Sequence, residues 1–180
     1  MITIISATNR PNSNTFKVAK AVLEIFKAQG AETVELLNLE DLPADAFNPN
    51  MYNPEGQSLA LGALQDKYIV PARKFFFVIP EYNGSYPGVL KFFWDACSVR
   101  KYKESFGGGK KAALLGIADG RAGNLRGIEH FAGALNYLKI AVLPNLQPLA
   151  QISKQFDGNS KLNEETHKAI SAQVAQFLEF

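Results

Sequence analysis

The run Phe75-Phe76-Phe77-Val78-Ile79 carries no polar side chain at any position. A strand with one solvated face alternates apolar and polar residues, so an unbroken apolar run belongs to a strand covered on both faces. Similar short runs occupy residues 2–5, 33–37 and 112–117, and a shorter one at 140–143 stops at Pro144. Between them the apolar period lengthens to that of helices. Phe16, Ala19, Leu23 and Phe26 form one stripe, closed by Gly30, and Leu125, Ile128, Phe131, Ala132 and Leu135 form another. Further on, Asn163 is placed to cap a helix whose first turn holds Glu164 and Glu165, with Ile170, Val174 and Phe177 as its buried face. Strand and helix alternating in this way specify an α/β protein, an open parallel sheet with helices on both sides. Residues 1–180 read as one domain, with 41–56 as a long surface loop.

Several function classes are disfavoured by composition. Formal net charge is only +2, and the densest basic cluster, Arg100, Lys101 and Lys103, is too small to argue for nucleic acid. Cys97 is the only cysteine, so no internal disulfide framework is available, and it makes no convincing metal site with two distant histidines. No stretch reaches the roughly 18 consecutive apolar residues of a membrane span. By elimination the expected setting is a reduced, cytoplasmic one.

In a doubly wound sheet, ligands bind outside the carboxyl ends of the strands, where the strand order reverses. Three loops there are unusual. The first, Ser6-Ala7-Thr8-Asn9-Arg10-Pro11-Asn12-Ser13-Asn14-Thr15, runs into the first helix. It offers hydroxyls, amides and one guanidinium where a helix presents free N–H groups and the positive end of its dipole, which suits a phosphate monoester. Neither G-x-x-x-x-G-K-[ST] nor G-x-G-x-x-G is present, which argues against nucleoside triphosphates and Rossmann-type dinucleotides. A plain polar turn with Ser13 or Asn14 as helix cap is the competing account. The second loop, Pro80-Glu81-Tyr82-Asn83-Gly84-Ser85-Tyr86-Pro87, stops the strand at Pro80 and supplies Gly84 for close approach of backbone to a planar ligand. Tyr82 adds a flat surface; its competing account is packing onto helices.

The run Pro80-Glu81-Tyr82-Asn83, followed by Pro87 and Leu90-Lys91, closely resembles the signature of the NAD(P)H-dependent FMN reductase family. The first loop resembles that family's Gly-Ser-x-Arg-x-x-Ser, with Thr8, Arg10 and Ser13 matching and Ala7 replacing the glycine. The third loop, Ala118-Asp119-Gly120-Arg121-Ala122-Gly123-Asn124, departs more: Asn124 stands where relatives commonly place a second glycine.

The resemblance implies a flavodoxin-like three-layer sandwich with a five-stranded parallel sheet in the order 2-1-3-4-5. It implies FMN as cofactor and NADPH or NADH as co-substrate. The phosphate would sit near Thr8, Arg10, Ser13, Asn14 and Thr15, and the ring against Pro80, Glu81, Tyr82, Asn83 and Gly84. Asp119, Gly120 and Arg121 would border the ring from the third loop. Electrons would pass from reduced nicotinamide through FMN to a small acceptor (a quinone, azo compound, flavin or metal oxyanion) by a ping-pong mechanism that needs no catalytic side chain. A homodimer or homotetramer is expected, with the Phe92–Cys97 region as core or interface. Two rivals remain at this stage: an electron carrier of the flavodoxin type serving protein partners, and a sheet that has lost the flavin and binds another ligand.

Overall fold

The computed structural model describes residues 1–158 and 161–180. Strands β1 (Ile2–Ser6), β2 (Val34–Asn38), β3 (Lys74–Pro80) and β4 (Lys111–Ile117) are parallel neighbours in the order β2-β1-β3-β4. The fifth position is shared by two short strands. β5 (Ala141–Val142) pairs with the start of β4, and β6 (Gln147–Leu149) pairs with its end. Pro144 lies between them; it has no N–H to give to the ladder, and Leu146 turns back to donate to the Pro144 carbonyl. The expected flavodoxin-like order 2-1-3-4-5 is therefore present, with a break in the fifth strand that the run at 140–143 had not shown.

Residues of β3 divide between two cores. Phe75, Phe77 and Ile79 face one layer, with Leu90, Phe93 and Trp94 of α3 (Gly88–Val99) and Ile128 and Phe131 of α5 (Leu125–Tyr137). Phe76 and Val78 face the other, with Val22 and Phe26 of α1 (Asn14–Ala28) and Val174 and Phe177 of α6 (Glu164–Glu179). Aromatic edges meet faces across both layers, as in Phe26 on Phe76 at 5.5 Å and Phe77 on Phe131 at 4.9 Å between ring centres. That two-sided burial explains why β3 shows no polar alternation.

Helix faces are rotated slightly from the expected stripes. In α1 the buried residues are Thr15, Val18, Ala19, Val22, Ile25 and Phe26, while Phe16 and Leu23 are only half-buried. A 100° step leaves neighbouring arcs close in hydrophobicity, and Val18, Val22 and Ile25 are the residues that pack in one cluster with Phe76 and Val78. In α5, Leu125 is exposed, whereas Ile128, Phe131 and Leu135 are buried. The cap of α6 is as expected: Asn163 Oδ1 accepts from the Thr166 N–H at 2.9 Å. Ile170, Val174 and Phe177 are fully buried.

The segment after β2 is more ordered than a surface loop. Two 3-10 turns, Leu39–Asp41 and Pro49–Tyr52, lead to α2 (Leu59–Leu64), which continues as a π-helical turn, Gln65–Ile69. Ser58 caps α2 by accepting from the Leu61 N–H at 3.3 Å. The short α4 (Tyr102–Phe106) follows α3. Ala7, which stands where the family pattern has glycine, lies fully buried in the core.

Candidate functional site

At the carboxyl end of the sheet, Ser6 is level with Asn38 and Val78, and Pro80 with Ile117. The loops leaving these strands enclose a cleft of about 560 Å³, within the ordinary range for small-molecule sites. Nine residues singled out from sequence line it: Arg10, Ser13, Asn14, Thr15, Pro80, Glu81, Tyr82, Asp119 and Gly120. Thr8, Asn83, Gly84 and Arg121 do not.

One end of the cleft is the N-terminus of α1. Ser13 accepts the Phe16 N–H on its Oγ at 3.1 Å and the Lys17 N–H on its carbonyl at 3.3 Å. The capping account of Ser13 is thus correct, yet its hydroxyl proton is still available to donate outward. The N–H groups of Asn14 and Thr15, in the first helical turn, have no carbonyl acceptor inside the helix. Asn12 just before them is left-handed, with φ of 54°, a backbone turn that converges successive N–H groups into an anion-binding concavity. Arg10 is exposed and lines the same end.

Thr8 lies behind the residues that line the cleft. It is 1% exposed; its Oγ1 accepts the Arg10 N–H at 3.2 Å and shares a 2.5 Å hydrogen bond with the Tyr82 hydroxyl. Thr8 therefore shapes the loop from behind and ties it to the second loop.

The second loop is a two-residue turn. Tyr82 and Ser85 exchange backbone hydrogen bonds at 2.9 and 3.1 Å, and Asn83 (φ 51°) and Gly84 (φ 77°) occupy the corner, the type I′ arrangement favoured by Asn-Gly. Glycine is required at 84 by conformation rather than by crowding, since an added Cβ would meet nothing within 4 Å. The Tyr82 N–H is spent on the Ser85 carbonyl and the Glu81 N–H on Ile117. The Asn83 and Gly84 N–H groups have no backbone acceptor among the described residues.

On the third side, Asp119 Oδ1 accepts the Ser153 N–H at 3.0 Å, and Asn14 Nδ2 reaches Ser153 Oγ at 3.4 Å. The Ser153 hydroxyl and N–H together hold the Asp119 carboxyl below its usual range, so it stays ionised. Ile152, 3% exposed, also lines the cleft. Sequence reasoning missed Ile152 and Ser153, which belong to no motif and arrive by way of β6. Gly123 serves close packing rather than flexibility: its added Cβ would sit 2.7 Å from the Leu149 nitrogen. Asn124 is no conventional cap. It is left-handed (φ 65°), fully buried, and its Nδ2 donates to the Ile79 carbonyl at 2.9 Å.

Arg100, of the basic cluster noted in the sequence, is paired with Asp66 through two nitrogens at 2.8 and 2.7 Å. His130 has a partner that sequence could not show: its Nδ1 is 3.0 Å from Ser85 Oγ. Phe93, Trp94 and Cys97 are buried in the core, leaving only Phe92 of that set partly open, with Phe47 leaning on it at 5.0 Å between ring centres.

The donor set suits a phosphate monoester joined to a flat group: neutral N–H and hydroxyl donors with one guanidinium at one end, an apolar and aromatic wall at the other. A family model described as NADPH-dependent FMN reductase matches residues 1–155. The chain belongs to this family. As an FMN reductase it is an oxidoreductase with FMN as cofactor and NAD(P)H as co-substrate. A quinone reductase of Pseudomonas putida is 26% identical to this FMN reductase over 180 residues, covering 98% of this chain and 91% of the relative. A 2-hydroxy-1,4-benzoquinone reductase of a Burkholderia species is 38% identical over 106 residues, 57% of this chain and 56% of that one. Among solved structures, the flavoenzyme NAD(P)H:(acceptor) oxidoreductase FerB from Paracoccus denitrificans matches with a TM-score of 0.75 at 22% identity, covering 99% of this chain and 94% of that one.

Proposed function

We propose that this reductase passes electrons from NAD(P)H through FMN to a small quinone-class acceptor, the two substrates taking turns at one open face. The carrying observation is the cleft itself: nine of the residues expected at the cofactor converge on one space that runs from the α1 N-terminus to the Tyr82 turn. The phosphate belongs at Arg10, Ser13 and the free N–H groups of Asn14 and Thr15, where hydrogen bonds and the helix dipole favour an anion. The ring belongs against Pro80, Glu81 and Tyr82, with Gly120 opposite.

When bound, FMN would supply the hydride- and electron-transfer chemistry. The protein's residues hold and orient. Asn83 and Gly84 offer N–H groups without backbone acceptors, suited to a polar ring edge and to stabilising negative charge that grows there on reduction; such preorganised donors are worth about 2–4 kcal/mol each. The Thr8–Tyr82 hydrogen bond keeps the phosphate end and the ring end at a fixed separation. Neither departure from the family pattern obstructs the cleft, because Ala7 and Asn124 are both fully buried away from it.

A quinone-class acceptor is favoured because two of the named relatives are quinone reductases. Azo compounds, free flavins and metal oxyanions are secondary candidates for the same open face. The chain is proposed to act as a single domain, in the cytoplasm, as a homodimer or homotetramer. Phe47, 82% exposed and resting on Phe92, is one exposed apolar side chain that such an assembly would have available to cover. Among the described residues, no helix is long and apolar enough to cross a membrane.

Anaerobic stopped-flow mixing tests the proposal. FMN-loaded protein bleaches with NADH or NADPH, and the bleached protein recovers its colour on mixing with benzoquinone. Steady-state double-reciprocal plots then give parallel lines. Converging lines would show that both substrates occupy the protein at once, and would refute the alternation.

A further inference from the structure

The feature that the FMN-binding reading leaves unused is Asn124. It is fully buried and sits at the N-cap of α5, yet it makes no capping hydrogen bond. Its backbone is left-handed, with φ 65° and ψ 29°, a conformation in which a residue without Cβ is the easier choice. Retaining a carboxamide there calls for a compensating interaction. One is present: Nδ2 donates at 2.9 Å to the carbonyl of Ile79, the residue before the cleft-lining Pro80-Glu81-Tyr82.

The surroundings are built to admit this side chain. A Cβ added to Gly116 of β4 would lie 3.3 Å from the Asn124 Cβ, and one added to Gly127 of α5 would lie 2.1 Å from Asn124 Oδ1. The same added Gly127 Cβ would be 2.8 Å from the Ser85 carbonyl carbon. Asn124 is thus wedged where the start of α5, the end of β3 and the far side of the Tyr82–Ser85 turn converge. Among the described residues its Oδ1 is buried without a hydrogen-bond partner, an arrangement that costs free energy.

We propose that Asn124 is a positioning residue for the ring end of the cleft. It clamps the third loop to the end of β3, so that the wall at Pro80–Tyr82 and the wall at Ala118–Gly120 keep a fixed spacing before cofactor arrives. The clamp acts on the ring and leaves the phosphate end, built by Arg10 and the α1 N-terminus, untouched. This rests on the FMN-binding reading above.

Two variants separate a positioning role from a packing one. Asn124→Gly keeps the left-handed backbone unstrained and deletes the carboxamide. Asn124→Asp keeps the shape and replaces the amide N–H donor to Ile79 with a carboxyl oxygen. Each is titrated with FMN by fluorescence quenching and, separately, with inorganic phosphate by calorimetry, and the absorption spectrum of bound FMN is recorded. Both variants are expected to raise the FMN Kd about tenfold, to shift the bound-FMN absorption bands, and to leave the phosphate Kd within twofold of wild type. Wild-type FMN affinity and spectrum in both variants would overturn the proposal, whatever happens to thermal stability. Equal weakening of FMN and phosphate would overturn it too, since it would mean general collapse of the cleft. A wild-type protein that binds phosphate but not FMN would instead remove the cofactor reading, and this inference with it.

Discussion

The hydroxyls of Thr8 and Tyr82, 74 positions apart in the chain, meet at 2.5 Å. The bond joins the loop after β1 to the turn after β3, so a side-chain contact ties together the two ends of the cleft proposed for the cofactor. Tyr82→Phe removes it while keeping the ring. A net hydrogen bond of this kind is worth about 1 kcal/mol, so the FMN Kd is expected to rise roughly fivefold. A double-mutant cycle with Thr8→Val checks the coupling, because the second change should add little once the first is made. Full additivity would show that the two loops hold their places independently.

Asp119 is an ionised carboxylate in a cleft proposed to receive a phosphate. Hydrogen bonds from Ser153 keep its protonation below the usual carboxylate range, so it is charged throughout neutral pH. Asn at 119 preserves the acceptor for the Ser153 N–H and removes the charge. FMN binding by Asp119→Asn is expected to tighten by about threefold at low salt, and the gain should shrink as salt screens the charge. Because the folded carboxyl titrates below the unfolded one, its stabilising contribution is present above the unfolded range and fades as the pH falls. Wild type should therefore lose that contribution on acidification while the variant does not. Weaker FMN binding by the variant would show that the carboxylate contacts the ligand favourably.

Lys110 is 2% exposed, with Nζ donating to the Ile69 and Val70 carbonyls at 2.9 and 3.2 Å. Burial pushes its amine down to about 8, with Arg73 nearby adding to the effect. The unfolded chain holds that proton to higher pH than the folded one. The unfolded state therefore binds more protons above about pH 8, and folding stability rises with pH until the unfolded lysine also titrates. Lys110→Met removes this dependence. Urea melts between pH 7 and 10 should show wild type gaining stability relative to the variant; a constant difference would place the folded amine at its ordinary value.

Asn163 secures α6 at both of its amide atoms. Its Oδ1 accepts from Thr166 N–H at 2.9 Å and its Nδ2 donates to Gln155 Oε1 at 2.9 Å. Asn163→Ala is expected to cost about 1 kcal/mol and to lower Tm by roughly 2–4 °C, with no change in FMN affinity. Calorimetry paired with an FMN titration checks both halves. A loss of FMN binding would mean that the α6 cap supports the cleft, which it adjoins through Gln155, three residues from the cleft-lining Ile152.

Much of the fold was readable because its causes are local. The β3 run announced burial on both faces, and Asn163 announced a helix start. What was misread shares a different cause. The α1 stripe was placed through Phe16 and Leu23, since amphipathic periodicity alone cannot choose between neighbouring arcs; packing on Phe76 and Val78 chose. Residues 41–56 were read as loop because asparagine and proline break regular patterns, yet Asn48 caps a 3-10 turn there. Pro144 was seen to end a strand, but not that pairing resumes at Gln147.

The sequence by itself determined the layered α/β architecture, a helix start at Ser13 or Asn14, and the donor-rich residues of the first loop beside a Pro-Glu-Tyr-Asn turn. Those follow from periodicity, capping and backbone preference, which act over a few residues. Only the tertiary structure decided that the Thr8 hydroxyl is spent on Tyr82, that Ser153 holds Asp119, and that Asn124 bolts α5 to β3. Each of these joins residues at least 34 positions apart. A hydrogen bond depends on two groups arriving within about 3 Å, and chain separation carries no record of that distance until the sheet has brought the loops together.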